Sequence, residues 1–532
     1  MPWNWRMPEV NFADRRHAGV LVPLFSIPSR GSWGIGEIPD LVRFATWLDG
    51  AGFDFVLLLP VNEMADGQNS PYSAMSAMAI DPIYIALGDV EEFVAAGGES
   101  SLTDSDRAKL DEVRRAGRVT YDVIRDVKSG ALHAAFQRFD DLEWRTQSAR
   151  ASEFRDFTER EAWWLRDYAL FRALYHEHGG RYWLEWGDGL RDRQPDAMDA
   201  AVRRLDREIR YRTWLQWIAD DQWHRARRDA APVAIFGDFP FVVSAHSADV
   251  WARQREFRLD ASVGTPPDAF SLTGQDWGLP LYRWDVIEQG GYEWLEQRAR
   301  RSAELYDGFR VDHLIGFYRT YYRERDKRAA FVPPDEPSQI VQGERILRVL
   351  ANFGTQIVAE DLGSVPDFVR ESLARLHVPG YKVLRWERYW DVEGEPFRDP
   401  TSFPPLSLAT SGTHDTETLA GWWDEADSDE RRSVAAWPAL RAAGCDPSAP
   451  FDDRLRDGLL RTLFAAGSNL VVVPVQDIFG WHDRINTPAV VDDVNWRWRM
   501  PWPVDELTAE PIPRDRAAFI RDLSTGSGRY LR

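Results

Sequence analysis

Short apolar runs bounded by polar turns recur along the chain and predict eight buried strands. Several runs are apolar at nearly every position, as expected for strands that are covered on both faces. Helix-patterned segments, such as 40–52 and 364–376, separate most of these runs. The predicted strands are 19–27, 55–61, 233–241, 308–313, 357–361, 381–386, 408–415 and 469–477. Alternation of strand and helix repeated eight times indicates an α/β fold, a parallel (β/α)8 TIM barrel.

Two intervals are too long to be simple connections between barrel strands. Residues 90–230 carry a charged, helix-like pattern, which predicts a helical insertion subdomain between strands two and three. Residues 242–300 are rich in Gly, Pro, Ser and Trp, and we expect a loop-rich insertion after strand three that lines the active site. The chain beyond strand eight is shorter than the roughly 100 residues of a β-sandwich. We therefore expect residues 1–532 to form one catalytic barrel unit with no C-terminal β-sandwich.

Composition narrows the class of protein. Hydrophobic residues make up 44% of the chain and charged residues 28%, which is typical of a globular protein. The net charge of −20 argues against a nucleic-acid partner, because phosphate binding needs clustered Lys and Arg. No run of 18 apolar residues predicts a membrane span, and the first residues lack the apolar core of a secretory signal. Cys445 is the single cysteine, which excludes an internal disulfide and a multi-cysteine metal site. We expect a cytoplasmic location.

Tryptophan is unusually frequent, with 25 copies beside 16 Tyr and 27 Phe. One interpretation is a large aromatic core. The other is a groove for sugar rings, whose apolar C–H faces pack on aromatic rings while their hydroxylated edges need polar partners. Composition is compatible with both interpretations.

Three segments place an acidic residue at the C-terminal end of a predicted strand. The segments FRVDHLIGF, IVAEDLG and SGTHDTETLAGWW contribute Asp312, Glu360 and Asp415 from strands four, five and seven. A (β/α)8 barrel builds its active site at these strand ends, so the three carboxylates are expected to converge on one pocket. Glycosidic-bond chemistry needs two or more carboxylates around one pocket.

Each of the three carboxylates also has a simpler interpretation. Arg310 and Asp312 lie two residues apart on one strand, so their side chains project from the same face. An arginine there favours the ionised carboxylate that a nucleophile requires, although a structural ion pair has the same pattern. Glu360 follows an apolar run, and burial would raise its pKa as a general acid requires. A pairing role for the next helix is the alternative for Glu360. Asp415 is either a turn residue or an acceptor for sugar hydroxyls.

The chain resembles the 4-α-glucanotransferases, the amylomaltase or disproportionating-enzyme group of glycoside hydrolase family 77, which is related to the α-amylase clan. Seven further segments carry this resemblance, in the order of the family and over nearly the whole chain. They are NSPYSAMSA (69–77), GDFPFVV (237–243), SADVWA (247–252), PPDAFSLTGQDWGLPLYRW (266–284), PVQDIFG (474–480), RINTP (484–488) and NWRWR (495–499).

The resemblance implies roles for matching residues. Asp312 matches the catalytic nucleophile, Glu360 the general acid/base, and Asp415 the third carboxylate, which stabilises the transition state. The implied substrate-binding residues are Tyr72, Asp238, Asp268, Trp277, Arg310, His313, His414 and Asn486. Loop packing for Trp277 and a turn for Asn486 remain the alternatives. The implied reaction is a retaining transfer of α-1,4-glucan segments through a covalent glycosyl-enzyme, with no metal and no cofactor. Maltooligosaccharides and glucose are the implied donors and acceptors.

Departures from the family pattern leave the predicted catalytic trio intact. Ala269 stands where the family has Tyr, and Thr416 and Glu417 replace Asn and Asp of the H-D-N-D-T motif. Ala269 removes an aromatic contact on the acceptor side, so an α-1,4-glucan hydrolase on the same scaffold remains an alternative. A non-catalytic glucan-binding protein is the second alternative. The sequence carries no signal for the oligomeric state.

Overall fold

Eight strands form a closed parallel barrel. The computed structural model describes residues 14–267, 273–325, 328–488, 490 and 494–531. With strands numbered in chain order, the barrel order is β1-β12-β11-β10-β9-β6-β3-β2. The barrel strands are β1 (His17–Leu21), β2 (Phe55–Leu57), β3 (Ala234–Phe239), β6 (Gly308–Val311), β9 (Gln356–Ala359), β10 (Gly380–Val383), β11 (Ser407–Thr410) and β12 (Leu470–Pro474). Each overlaps one of the eight predicted strands, and the (β/α)8 fold class is confirmed.

Helices connect the barrel strands, and many of them lie between β2 and β3. The helices of that interval are α2 (Glu91–Ala95), α3 (Asp104–Arg115), α4 (Tyr121–Phe139), α5 (Ala149–Arg160), α6 (Ala162–Glu177), α7 (Asp188–Arg191), α8 (Pro195–Arg204) and α9 (Asp206–Asp229). The others are α1 (Asp40–Gly50), α10 (Ala248–Ala252), α11 (Trp284–Gln289), α12 (Glu293–Leu305), α13 (Ile315–Tyr318), α14 (Glu336–Ala351), α15 (Asp367–Arg375), α16 (Leu419–Glu425), α17 (Ser428–Ala435), α18 (Pro438–Ala442), α19 (Asp453–Phe464), α20 (Val475–Phe479) and α21 (Pro511–Gly526). The division into one barrel unit with two insertions stays a prediction.

Small residues in one barrel strand make room for rings in the next. Gly308 lies in register with Phe236 of β3, and a Cβ at this glycine would be 2.5 Å from that ring. Such a contact is too close for any side chain, so only glycine fits here. Interlocking of this kind fills the barrel interior at the density of an organic crystal. The barrel is therefore a packed core whose function must lie at its ends.

The barrel strands end just before the acidic residues singled out in the sequence. Asp312 follows the last residue of β6, and Glu360 follows the last residue of β9. Strand β11 is shorter than the predicted segment 408–415, because it ends at Thr410. The chain then turns, with Thr416 Oγ1 accepting a 2.9 Å hydrogen bond from the N–H of Thr413. Asp415 is therefore carried by a turn and not by the strand itself.

A second sheet of four antiparallel strands corrects the expectation that 242–300 is loop-rich. Its order is β5-β4-β7-β8, with β4 (Phe257–Thr265), β5 (Gln275–Tyr282), β7 (Thr320–Glu324) and β8 (Ala329–Val332). The two strands β4 and β5 pair closely because Gly264 has no side chain: a Cβ there would lie 1.9 Å from the carbonyl oxygen of Gln275. The segments that form this sheet leave the C-terminal ends of β3 and β6, so the sheet belongs to that end of the barrel.

After β12, the described residues contain helices α20 and α21 and no further sheet. The absence of a C-terminal β-sandwich is thus confirmed for the part of the chain that the structure describes. Across the same residues, no helix combines the length and the apolar character that crossing a membrane requires.

Candidate active site

The guanidinium of Arg310 contacts three carboxylates at the C-terminal end of the barrel. Its Nη1 lies 2.6 Å from Asp238 Oδ2, while its Nη2 lies 2.9 Å from Asp312 Oδ1 and 3.2 Å from Glu360 Oε2. Strand register explains the first contact, because Asp238 of β3 pairs with Arg310 of β6. The arginine side chain is only 4% exposed, so solvent screens these contacts little. The planar fork of an arginine spreads its donors over separate nitrogens, so it reaches oxygens on different sides that the single nitrogen of an ammonium cannot reach together.

The shared nitrogen limits how far apart Asp312 and Glu360 can be. Since one Nη2 touches an oxygen of each residue, at 2.9 and 3.2 Å, those two oxygens are separated by no more than the sum of these distances. That limit concerns the two nearest oxygens, and it accommodates the ~5–5.5 Å between the carboxyl groups of retaining glycosidases.

Glu360 is held so that it keeps a proton near neutral pH. Burial raises the pKa of Glu360 to about 7, and the carboxylate of Asp312 adds to this rise. Arg310 and the N–H of His313, which donates to Glu360 Oε2 at 2.6 Å, oppose the rise without cancelling it. His313 adopts a left-handed backbone with φ of 43°, and this turn aims its N–H at the carboxylate. A carboxyl group in this state can donate a proton in neutral solution.

A chain of hydrogen bonds leads from Asp238 to Asp415. The hydroxyl of Tyr72 donates to Asp238 Oδ2 at 2.6 Å and lies 3.1 Å from His414 Nε2. Burial and the charge of Asp238 raise the pKa of Tyr72 well above its usual value. The phenol therefore stays protonated and acts as the hydrogen-bond donor. His414 Nε2 therefore carries the hydrogen that points to Tyr72, and it lies 3.3 Å from Asp415 Oδ2.

Asp415 is ionised in this arrangement. Burial raises the pKa of Asp415, but the neighbouring His414 and the side-chain amide of Asn486 outweigh this effect and lower it to about 2. Asn486 donates to Asp415 Oδ1 at 2.6 Å. Asp415 in turn raises the pKa of His414 against the effect of burial. The site thus contains an ionised Asp415 and a protonated Glu360 in one connected network.

Aromatic rings surround this network. The ring of Tyr72 stacks on that of His414, with 5.4 Å between centroids and 19° between planes. Trp496 packs on both, at 5.9 Å from Tyr72 and 5.8 Å from His414. On the side of the second sheet, Trp277 of β5 meets the ring of His313 edge to face, at 4.7 Å. Trp277 therefore packs on a predicted site residue, and its own role in substrate binding stays a prediction.

The structure connects most of the predicted site residues, and the assignment of their roles stays a prediction. Asp268 and Ala269 lie outside the described residues. Asp361, beside Glu360, faces away, since its Oδ1 accepts a 2.6 Å hydrogen bond from the N–H of Tyr381. Many tryptophans do belong to the core: Trp47, Trp183, Trp214, Trp223, Trp251, Trp294 and Trp423 are fully buried.

Four residues that contact Asp415 or its neighbours were not predicted as site residues from the sequence. Trp496 packs on His414, and Arg484 donates to the backbone oxygen of Asp415 at 2.9 Å. Arg484 and Arg385 both bind the carboxylate of Glu417, at 2.7 and 2.5 Å. The signals available were the segments RINTP and NWRWR, which contain Arg484 and Trp496, and the departure at Glu417.

Comparisons with known proteins show which family the chain is similar to. A family model described as 4-alpha-glucanotransferase matches residues 22–505. The 4-alpha-glucanotransferase of Thermus thermophilus is 33% identical over 511 residues, which cover 91% of this chain and 95% of that protein. The 4-alpha-glucanotransferase of Synechocystis sp. is 32% identical over 500 residues, covering 91% and 94%. Among solved structures, the amylomaltase from Streptococcus agalactiae in complex with acarbose aligns with a TM-score of 0.80 and 26% identity, covering 97% of this chain and 100% of that one.

Proposed function

The chain belongs to the 4-alpha-glucanotransferases of glycoside hydrolase family 77, and from this premise we propose that it moves α-1,4-glucan segments between maltodextrins with retention of configuration. The observation that carries the proposal is the single nitrogen of Arg310 that contacts both Asp312 and Glu360. It sets the two carboxyl groups at a spacing that suits a nucleophile and an acid acting on the same glycosidic bond.

The first half of the reaction forms a covalent glycosyl-enzyme. A carboxylate oxygen of Asp312 attacks the anomeric carbon, and the bond from that carbon to the glycosidic oxygen breaks. Glu360 gives its proton to the departing oxygen, which leaves as the 4-hydroxyl of the released glucan. The raised pKa of Glu360, about 7, supports this role because the residue holds a proton at neutral pH.

The second half transfers the glycosyl group to an acceptor. Glu360, now ionised, takes the proton from the 4-hydroxyl of an incoming glucan, and that oxygen attacks the anomeric carbon. The bond to Asp312 breaks and its carboxylate is regenerated. Two displacements at one carbon restore the α configuration. Side chains and sugar hydroxyls supply every group that these steps need.

Asp415 is proposed to stabilise the positive charge that develops at the anomeric carbon in both steps. Its lowered pKa, about 2, supports this role, since the group is ionised throughout the working pH range. Tyr72 and His414 fix its position through the hydrogen-bond chain to Asp238. The half-buried ring of Tyr72, which packs on the buried rings of His414 and Trp496, offers an apolar surface suited to the face of a glucose unit.

Preference for a sugar acceptor over water depends on the walls of the site. A bound acceptor presents its hydroxyl at high effective concentration, which favours transfer. The second sheet stands at this end of the barrel and brings Trp277 against His313, beside Asp312. We propose that this wall helps to bind the acceptor and limits access of water. A cytoplasmic location, compatible with the single cysteine, is part of the proposal.

Incubation with maltotriose tests the proposed function. Transfer yields glucose together with a ladder of maltodextrins longer than the substrate. Hydrolysis yields glucose and maltose without longer products, and a binding protein yields no product. Asp312→Asn is the matched control, because it keeps the shape of the side chain and removes the nucleophile. The proposal fails if the wild-type protein lengthens no chain or if Asp312→Asn retains full turnover.

A further inference from the structure

The carboxylate of Glu417 joins three consecutive loops at the catalytic end of the barrel. Its Oε2 accepts a hydrogen bond from Arg385 Nη1 at 2.5 Å, and its Oε1 accepts one from Arg484 Nη1 at 2.7 Å. Arg385 also binds the backbone oxygen of Glu417. Arg385 follows β10, Glu417 follows β11 and Arg484 follows β12. One side chain therefore fixes three neighbouring loops relative to one another.

Arg484 extends this connection to Asp415. Its Nη2 donates to the backbone oxygen of Asp415 at 2.9 Å, and its Nε donates to the backbone oxygen of Asn486 at 3.2 Å. The N–H of Asn486 donates to the backbone oxygen of His414 at 3.2 Å. These two contacts fix the backbone of Asn486, and its side-chain amide then donates to Asp415 Oδ1 at 2.6 Å.

We propose that Glu417 is a positioning residue of the transfer reaction, which acts through Arg484 to hold Asn486 against the carboxylate of Asp415. The inference rests on the proposed function and adds a residue whose carboxylate binds two arginines, Arg385 and Arg484. Its physical basis is geometric: displacing a catalytic group by 1 Å can slow a reaction about 100-fold. Without the Glu417 carboxylate, Arg484 loses the partner of its Nη1, one of the three contacts that orient its guanidinium group.

The length of the Glu417 side chain matters for this role. Glu417 is one methylene group longer than an aspartate would be. The longer side chain spans two guanidinium groups that come from different loops. Glu417→Asp shortens the reach by about 1.5 Å, so it cannot keep both contacts without movement of a loop. Glu417→Gln keeps the length and removes the charge, which separates the two properties.

A purely structural role gives a different outcome from a positioning role. If Glu417 only ties the loops together, Glu417→Gln lowers thermal stability while the folded enzyme keeps its kcat. For a positioning role we expect kcat on maltotriose to fall about 10- to 100-fold, with KM changed by less than about 3-fold. We also expect the acid limb of the pH profile to move to higher pH, because Asp415 loses the amide that favours its ionised form. Glu417→Asp should recover part of the lost kcat.

Glu430 offers a matched control. Its carboxylate also accepts a hydrogen bond from an arginine, Arg388, and another from the indole of Trp422 at 3.0 Å. Its side chain is 22% exposed, against 28% for Glu417. Arg388 also donates to the backbone oxygen of Arg385 at 3.2 Å, so Glu430→Gln removes a similar charge from a setting that shares the loop after β10 with Glu417 but not the contacts of Arg484 and Asn486 with Asp415. We expect its kcat to stay within about 2-fold of the wild type.

A double-mutant cycle with Asn486→Ala decides whether Glu417 acts through Asn486. Asn486→Ala removes the side-chain amide that Glu417 is proposed to position. In that background Glu417→Gln should therefore change kcat by less than about 2-fold. If Glu417→Gln does not fold, Arg484→Lys takes its place, because it keeps the charge and loses the fork. The inference is overturned if Glu417→Gln matches Glu430→Gln, or if the two effects multiply in the double variant. Absence of a maltodextrin ladder in the wild type would instead overturn the proposed function.

Discussion

The backbone N–H of His313 donates a hydrogen bond of 2.6 Å to Oε2 of Glu360. Arg310 Nη2 contacts the same oxygen, at 3.2 Å. Both positive partners lie on Oε2, so the proton of the neutral acid belongs on Oε1. In this way one oxygen of Glu360 is fixed by two donors, and the other is left for the proton that the proposed reaction requires.

The pH dependence of the first half-reaction should report the titration of Glu360. The residue must be protonated to act as an acid, and its pKa is raised to about 7. As pH rises through this value the proton is lost, so kcat/KM for maltotriose should fall about tenfold per pH unit above neutrality. Initial rates between pH 4 and 9 measure this limb. Maltosyl fluoride is the control donor, since fluoride leaves without a proton. An equal alkaline fall with both donors would contradict the role of Glu360.

Arg310→Lys should lower kcat strongly, although it preserves the positive charge. An ammonium is a compact point charge and cannot replace a fork that contacts Asp238, Asp312 and Glu360 together. We expect kcat to fall about 100-fold or more, while circular dichroism shows an intact fold. Steady-state kinetics on maltotriose provide the measurement. A variant with kcat within about threefold of the wild type would show that the shared nitrogen is not required.

The barrel could be predicted from sequence because its strands are buried on both faces. In β12 (Leu470–Pro474) every residue is buried, and the apolar run is visible without any structure. The second sheet gave no such signal. Strand β5 exposes Gln275 and Asp276 and contains a glycine and a proline, so its sequence is typical of a loop. Its order comes from pairing with β4, a tertiary contact that local patterns do not encode.

The residues of the candidate site also include some that could be predicted from the sequence and some that could not. Asp312 and Glu360 could be predicted because each ends a barrel strand, and all barrel strands deliver their ends to one rim. Glu417 could not be connected to the site, because its partner Arg484 lies 67 residues further along the chain. Ion pairs of this kind depend on how loops approach each other in three dimensions. Family motifs pointed to the segment of Arg484 but not to the contact.

Stability at the opposite end of the barrel should depend on Arg529. Its side chain is buried, and it donates to backbone oxygens on both sides of the junction between β1 and β12. The acceptors are the carbonyl groups of Phe464, Ala466, Ser468, Asn469 and His17. Arg529→Met fills similar space but removes one donor from each of these carbonyls, although Ala466 still accepts from Arg16 and Asn469 from the N–H of His17, so we expect the free energy of unfolding to fall by about 3 kcal/mol.

Urea unfolding followed by tryptophan fluorescence measures this loss. The specific activity of the folded Arg529→Met variant should match the wild type, because the N-terminal end of a barrel serves stability and the C-terminal end serves catalysis. A variant that keeps full stability, or one that loses activity while it is folded, would contradict this assignment.

Trapping the covalent intermediate tests the central claim, that Asp312 is the nucleophile and Glu360 the acid. Glu360→Gln should still react with maltosyl fluoride, whose leaving group needs no proton, but it lacks the base that completes transfer. A maltosyl adduct should therefore accumulate, and mass spectrometry of the digested protein should place it on the peptide that contains Asp312. An adduct on any other residue, or turnover of the fluoride donor by Asp312→Asn at the wild-type rate, would contradict the account.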